Sequence, residues 1–305
     1  MKINLKYLFI VLIVVTWGFI YAEFEEKNLN GSNEITKPIV NSVNDSVKLA
    51  VEGNLNIYYF DVGQADCILL ENNGQYMLID AGNNADGESL VSYFNNLGIK
   101  TFEYVIGTHA HEDHIGGMDD VINNFEIKNF YMPDVVTTSK TFEDLVGALE
   151  NNEVAFQTPQ IGDMFVFGHC KFEVLYVGDE GDDLNDTSIV VRGLYGNNSF
   201  LFMGDATSNV EKEILDSNID SDILKVGHHG SRYSSSVKFL NKVTPKVSII
   251  STGQGNSYKH PHDVTLEKLN NIGSQIYRTD LDGTIIASSD GENVTFKFAD
   301  TALDG

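Results

Sequence analysis

Short apolar and aromatic runs, separated by turn-forming residues, open the folded part of the chain. Residues 56–60 read as a strand, and residues 67–71 join residues 75–79 through Asn72-Asn73-Gly74, a turn at hairpin spacing. The period then changes. Leu90, Phe94 and Leu97 recur at helical spacing with Gly98 placed to cap the end, which predicts a helix from about Glu88. A strand over residues 104–107 follows, then helices near residues 115–124 and 141–151, and several strands between residues 154 and 204, including a hairpin of residues 189–194 with 200–203. Ser208 with Glu211 has the spacing of a capping box and predicts a helix to about Asp216. Strands at 223–226, 247–251 and 275–278 alternate with helices at 235–242 and 264–272, and strands near 284–287 and 294–298 close the pattern. Strands followed by alternating helices and strands, twice over, predict an α/β (α+β) fold of two β-rich halves covered by helices.

The N-terminus departs from this pattern. Lys2 and Lys6 precede an apolar run, residues 7–22, and an acidic, polar stretch comes directly after it. That order is that of a signal peptide or N-terminal anchor, residues 1–22, and it predicts a secreted or extracytoplasmic, membrane-anchored protein touching the membrane only through this segment. Residues 23–52 are rich in Asn, Ser, Glu and Lys and read as a polar linker, which leaves residues 53–305 as the folded domain. The run of transmembrane helices that a channel needs is not expected.

A chain of 305 residues, 42% of them hydrophobic, has enough apolar material for a sizeable core. With 44 acidic against 20 basic residues the net charge is −24, which disfavours nonspecific binding of a polyanion, although bound dications would create a local positive site. Cys67 and Cys170 are the only cysteines, too few for a disulfide scaffold; both read as small buried residues, with pairing left open.

The chemistry concentrates in Thr108-His109-Ala110-His111-Glu112-Asp113-His114-Ile115-Gly116-Gly117, which places four candidate metal ligands in six residues just after an apolar strand. On an extended turn His109 and His111 project to one side, while Asp113 and His114 start the next helix, so two pairs can face two adjacent metals. The paired glycines are expected to let the backbone approach a metal cluster or a substrate closely.

This motif resembles the His-x-His-x-Asp-His signature of the metallo-β-lactamase superfamily, and in particular the hydrolase domain of ComEC-like competence proteins. Further segments carry the same resemblance in the same order: Phe60-Asp61-Val62-Gly63-Gln64-Ala65-Asp66, Leu78-Ile79-Asp80-Ala81-Gly82, Phe202-Met203-Gly204-Asp205, Lys225-Val226-Gly227-His228-His229-Gly230-Ser231 and Tyr277-Arg278-Thr279-Asp280. The resemblance implies a four-layer αββα sandwich with a dinuclear metal site at one edge. His109 and His111 would bind one ion, Asp113 and His114 the other, with Asp205 bridging both and His229, rather than His228, completing the second. Asp80 would orient the metal-bearing loop, and His228 would stand beside the ligands or touch substrate.

One departure from the superfamily pattern is visible. Many members supply another histidine between these motifs, and the only histidine in that interval here is His169, in an apparent hairpin turn; ComEC-like domains carry an asparagine-containing segment there, here Asn185-Asp186-Thr187-Ser188. The first metal is thus expected to have an open position. Tyr258-Lys259-His260-Pro261-His262 also matches, with His260 as general acid or donor to a leaving oxygen, and His262 beginning a helix.

The ligand set suits two divalent ions, zinc first, with manganese or iron as alternatives. The implied reaction is hydrolysis by a hydroxide held between two metals. A phosphoester substrate is expected, as small molecule, cell-wall polymer or DNA, and no protein partner is evident. A β-lactamase-like amide hydrolase and a non-catalytic, metal-stabilised binding protein are the competing readings.

Overall fold

The computed structural model describes residues 51–299 apart from 180 and 182; the signal or anchor segment and nearly all of the linker lie outside the described residues. Among the described residues, no helix is long and apolar enough to cross a membrane. In chain order the strands are β1 (Leu55–Tyr59), β2 (Cys67–Asn72), β3 (Gln75–Ala81), β4 (Thr101–Phe102), β5 (Tyr104–Ile106), β6 (Glu126–Ile127), β7 (Phe130–Tyr131), β8 (Phe156–Gln157) and β9 (Met164–Phe167). There follow β10 (Cys170–Tyr176), β11 (Val190–Tyr195), β12 (Asn198–Phe202), β13 (Ile223–Lys225), β14 (Val247–Ile250), β15 (Gln275–Arg278), β16 (Thr284–Ser289) and β17 (Val294–Ala299).

They form an eight-stranded sheet in the order β17-β16-β1-β2-β3-β5-β7-β8 and a seven-stranded sheet in the order β15-β14-β13-β12-β11-β10-β9, with β4 and β6 as a separate pair. The period-two geometry of a strand sorts each apolar run between two cores. Ile68 and Leu70 of β2, Met77 and Ile79 of β3, and Phe200 and Phe202 of β12 meet between the sheets. Their neighbours Leu69 and Leu78 face the other way, against Leu90 and Phe94 of helix Gly87–Asn96 and Leu145 of helix Lys140–Asn151. Leu201 and Leu224 pack likewise against Phe239 and Leu240 of helix Val237–Val243 and Leu269 of helix Asp263–Asn271. Helix, sheet, sheet, helix is the four-layer αββα sandwich, and strands buried on both faces account for the continuous apolar runs in the sequence.

Two sequence expectations are corrected. The predicted helix at 115–124 is two, Glu112–Ile115 and Met118–Asn124, separated at the glycine pair. A Cβ on Gly116 would come within 2.2 Å of the Asn83 carbonyl carbon, and one on Gly117 within 2.6 Å of Ala81 O. The glycines therefore admit the backbone of the loop after β3, not a metal or a substrate. Secondly, Thr207, not Ser208, caps helix Ser208–Glu213, and Glu211 reaches away from its own helix to accept from Ser235 N and, at 2.8 Å, from Ser236 N. In the first sheet β16 pairs with β1 (Leu55↔Ser289), so the last strands complete the sheet that the first strands begin.

Candidate metal centre

β3, β5 and β7 are mutually parallel, as are β12, β13, β14 and β15. Loops leaving the carboxyl ends of such strands are where open α/β sheets assemble sites. Asp80 ends β3, His109 to His114 follow β5, Asp205 follows β12, His228 and His229 follow β13, and His260 lies on the loop after β14.

Asp80 is fully buried at a left-handed φ of 59°. Its carboxylate accepts from Thr108 N (2.8 Å), Thr108 Oγ1 (2.7 Å) and His114 Nδ1 (2.7 Å). The first two bonds fix the start of the histidine loop. The third holds the His114 ring with Nε2 outward, 3.3 Å from Asp205 Oδ1. Asp80→Asn would turn a donor onto this tangle and invert the His114 tautomer. Calorimetric titration of the variant with manganese or zinc should show affinity reduced roughly 10–100-fold; unchanged affinity would rule out this orienting role.

Asp205 presents its second oxygen, Oδ2, 3.6 Å from His229 Nε2 and 3.8 Å from His228 Nε2. His229 Nε2 also lies 3.3 Å from Asp113 Oδ2, while its Nδ1 donates to Ser251 O at 3.0 Å. His228, His229 and Gly230 all have left-handed φ angles, of 52°, 51° and 80°, and this tight turn separates the two imidazoles. Such conformations at non-glycine residues are strained by about 1–3 kcal/mol each and concentrate at functional sites. His109 and His111 stand side by side, His109 Nε2 being 2.9 Å from His111 Nδ1, and the His109 ring lies 4.1 Å from that of His114.

The arrangement fits a divalent cation. One ligand atom each from Asp113, His114, Asp205 and His229 falls within 4.8 Å of all the others. Three atoms pointing into that group, His114 Nε2, Asp205 Oδ1 and His229 Nε2, are buried and make no hydrogen bond, a state that native structures avoid unless something else satisfies such groups.

The electrostatics agree. Burial opposes charge on His114, yet Asp205, Asp80 and Asp113 outweigh it and raise its pKa well above the ordinary imidazole value. Burial likewise opposes ionisation of Asp205, and His229 and His114 overturn that and hold it well below the carboxylate range. His109 is pushed well below the usual imidazole value by burial and by His114, which favours the neutral, ligating form.

The centre opens into a cleft of about 520 Å³, lined by His111, Asp113, Asp205, His228 and His229 together with Gln64, Asn83, Glu112, Asn185, Tyr258 and His260. His260 is almost fully buried, and burial followed by His229 and His228 lowers its pKa to about 4. Gln64 fixes its tautomer. Gln64 Oε1 accepts from Thr252 Oγ1 (3.0 Å) and Gly253 N (3.2 Å), so its amide nitrogen faces His260 Nδ1 at 3.4 Å, and the ring proton is left on Nε2. His262 sits outside this group at the N-cap of helix Asp263–Asn271, and its Nδ1 accepts from Arg232 N at 3.1 Å. His169 occupies the β9–β10 turn, next to Asn72 and Glu52, away from the cleft. Cys67 and Cys170 are both buried and free.

Sequence reasoning gave no role to a buried ion pair under the centre. Lys225 Nζ lies 2.7 Å from Asp66 Oδ2, both side chains 1% exposed, and Asp66 Oδ1 is 3.5 Å from His229 Nδ1. Both residues fall in segments that carry the family resemblance, which was the only available signal.

The family model of the metallo-beta-lactamase superfamily matches residues 60–254. The chain belongs to the metallo-β-lactamase superfamily. Among curated relatives of this superfamily member, ComE operon protein 3 of Bacillus subtilis is 30% identical over 260 residues, 78% of this chain and 33% of the relative. Competence protein ComA of Neisseria gonorrhoeae is 28% identical over 239 residues, 77% of this chain and 32% of that protein. The chain thus spans about a third of the length of the curated relatives it matches. Among solved structures, the metallo-β-lactamase fold protein YhfI of Bacillus subtilis superposes with a TM-score of 0.53 at 11% identity, over 77% of this chain and 100% of YhfI. The fold and the ComEC-like resemblance are thereby shown, and the chain is a member of a metallo-hydrolase family.

Proposed function

We propose that this chain is a phosphodiesterase of the nuclease type that uses two divalent metal ions and acts outside the cytoplasm. The observation that carries the reading is the convergence of Asp113, His114, Asp205 and His229 on one point at the floor of an open cleft. His109 and His111 would hold the first ion, and Asp113, His114 and His229 the second; Asp205, whose Oδ1 faces His114 and whose Oδ2 faces His229, would be shared between the ions as the family resemblance implies. When bound, two such ions stabilise both the attacking and the leaving oxygen of an in-line displacement. Zinc, manganese and iron all suit imidazole and carboxylate ligands.

The chain's own residues then divide the work. Asp80 and Thr108 orient the histidine loop. His260, neutral with its proton on Nε2, donates a hydrogen bond to a phosphoryl or leaving oxygen; a low pKa makes it a donor rather than a reservoir of charge. His228, kept below its ordinary pKa first by burial, is a second neutral group facing the same cleft. Among the described residues lining the cleft there is no Lys or Arg, so the positive charge that attracts a phosphodiester comes from the ions. That supports short or single-stranded substrates over a duplex gripped along its backbone. The competence-protein name of one relative, ComA of Neisseria gonorrhoeae, supports DNA as the substrate, with cell-wall phosphodiesters and small phosphoesters as the alternatives. The apolar segment at residues 7–22 supports export.

The metal-loaded protein should hydrolyse bis-p-nitrophenyl phosphate, and His111→Ala should abolish turnover. Absence of turnover by the wild type on this ester, on single-stranded DNA and on a teichoic-acid-like polymer would refute the reading. Hydrolysis of nitrocefin at a comparable rate would put the amide-hydrolase alternative ahead of it, and tight metal binding without any turnover would favour a binding protein.

A further inference from the structure

One polar atom in the cleft has no place in the ligand set above. Asn185 Oδ1 is buried and makes no hydrogen bond, and Asn185 lines the cleft together with His111 and Asp205. A buried amide oxygen without a donor is rare enough in native structures to require an account. The segment carrying it is firmly placed. Asn185 lies in the 3-10 turn Leu184–Thr187, and its own N–H donates to Asp183 Oδ1 at 3.0 Å. Three residues on, Ser188 Oγ accepts from Asp205 N at 3.1 Å, and Ile189 N donates to Thr108 O at 2.9 Å. Asp186, the next residue, accepts from Thr207 Oγ1 at 2.5 Å and from Asn209 Nδ2 at 3.1 Å. The turn is thus tied on one side to the Asp205 loop and on the other to the residue that precedes His109.

We propose that Asn185 supplies, through Oδ1, the ligand that His109 and His111 lack, and so completes the first metal position with oxygen in place of a third imidazole. This rests on the reading of the centre as a dinuclear metal site and is independent of the substrate. It also has a chemical consequence. A neutral carbonyl oxygen is a harder donor than imidazole, so the first position should tolerate manganese better, and bind zinc less tightly, than a three-histidine position would.

The full chain, stripped with chelator, is titrated with manganese chloride and with zinc chloride by calorimetry, with elemental analysis for stoichiometry and electron paramagnetic resonance for bound manganese. Two ions per chain are expected for the wild type. For Asn185→Ala, one should bind as before, and the other should weaken by at least the roughly 10–100-fold that even outer hydrogen-bond partners of ligands are worth. Asn185→Asp should restore the second ion, and Asn185→His should bind two and move the preference toward zinc. Two ions bound to Asn185→Ala at wild-type affinity would overturn the proposal. If circular dichroism shows Asn185→Ala unfolded, the Asp and His variants decide: unchanged selectivity in Asn185→His, together with loss of the second ion in Asn185→Asp, would overturn it. A wild type that binds no ion at all would overturn the metal-site reading itself, a result distinct from failure of Asn185 alone.

Discussion

Lys225→Met is expected to lower the stability of the domain by about 3–5 kcal/mol, the usual effect of removing one partner from a buried ion pair. The ammonium group has two buried partners, Asp66 Oδ2 at 2.7 Å and Val226 O at 3.1 Å. Without it the Asp66 carboxylate is left in a site where both partners are 1% exposed and where its other oxygen already makes no hydrogen bond. The nearest group able to answer that charge is His229, whose Nδ1 is 3.5 Å from Asp66 Oδ1. Recruiting it would compete with the Ser251 carbonyl that now holds the ring, so metal affinity should fall along with stability. The double variant Asp66→Asn/Lys225→Met removes the orphaned charge and should recover part of the loss. Urea unfolding monitored at constant m reads both effects. A single variant within about 0.5 kcal/mol of wild type, or a double variant no better than the single, would show that the pair is not what holds this end of β13.

The second large effect concerns Asp205. Its two oxygens reach different histidines, His114 on one side and His229 and His228 on the other, from a side chain that is almost fully buried. Asp205→Ala should remove tight metal binding and reduce phosphoester turnover by about three orders of magnitude, equivalent to about 4 kcal/mol of barrier. A readout free of catalysis is also available. An ion that binds only the folded state at 100 times its dissociation constant stabilises it by about 2.7 kcal/mol, which for a domain of this size is a rise in melting temperature of roughly 5–10 °C. Wild type should show that rise on metal addition and lose it on chelation, and Asp205→Ala should show neither. A metal-dependent shift that survives in the variant would remove Asp205 from the ligand set.

What could be read in the sequence follows from which interactions are local. The histidine loop was legible because its residues are contiguous and directly follow an apolar strand. Likewise the β2–β3 hairpin was announced by Asn72-Asn73-Gly74, with Asn73 and Gly74 both at left-handed φ. Asp205 and His229 were found only through family resemblance, since a single aspartate after Phe202-Met203-Gly204 carries no periodic signal. Strands β4, β6 and β7 escaped notice because two residues are too few to show a period. Other features were illegible for a different reason. Gly116 and Gly117 serve a loop more than thirty residues earlier in the chain, and the partners of Glu211 lie on the approach to another helix. The Asp66–Lys225 contact joins the loop before β2 to the end of β13, and nothing near either residue predicts the other.

The pairing of β16 with β1 also bears on how the polypeptide matures. Asn56 and Ser288 meet across that junction although 232 positions separate them, and contacts of such long range are slow to form. Until β16 has emerged from the ribosome, β1 has β2 on one side and an unsatisfied backbone edge on the other, so a nascent chain cannot close its first sheet. Late closure of this sheet leaves the β1 edge open to other strands until residues 284–289 have been made.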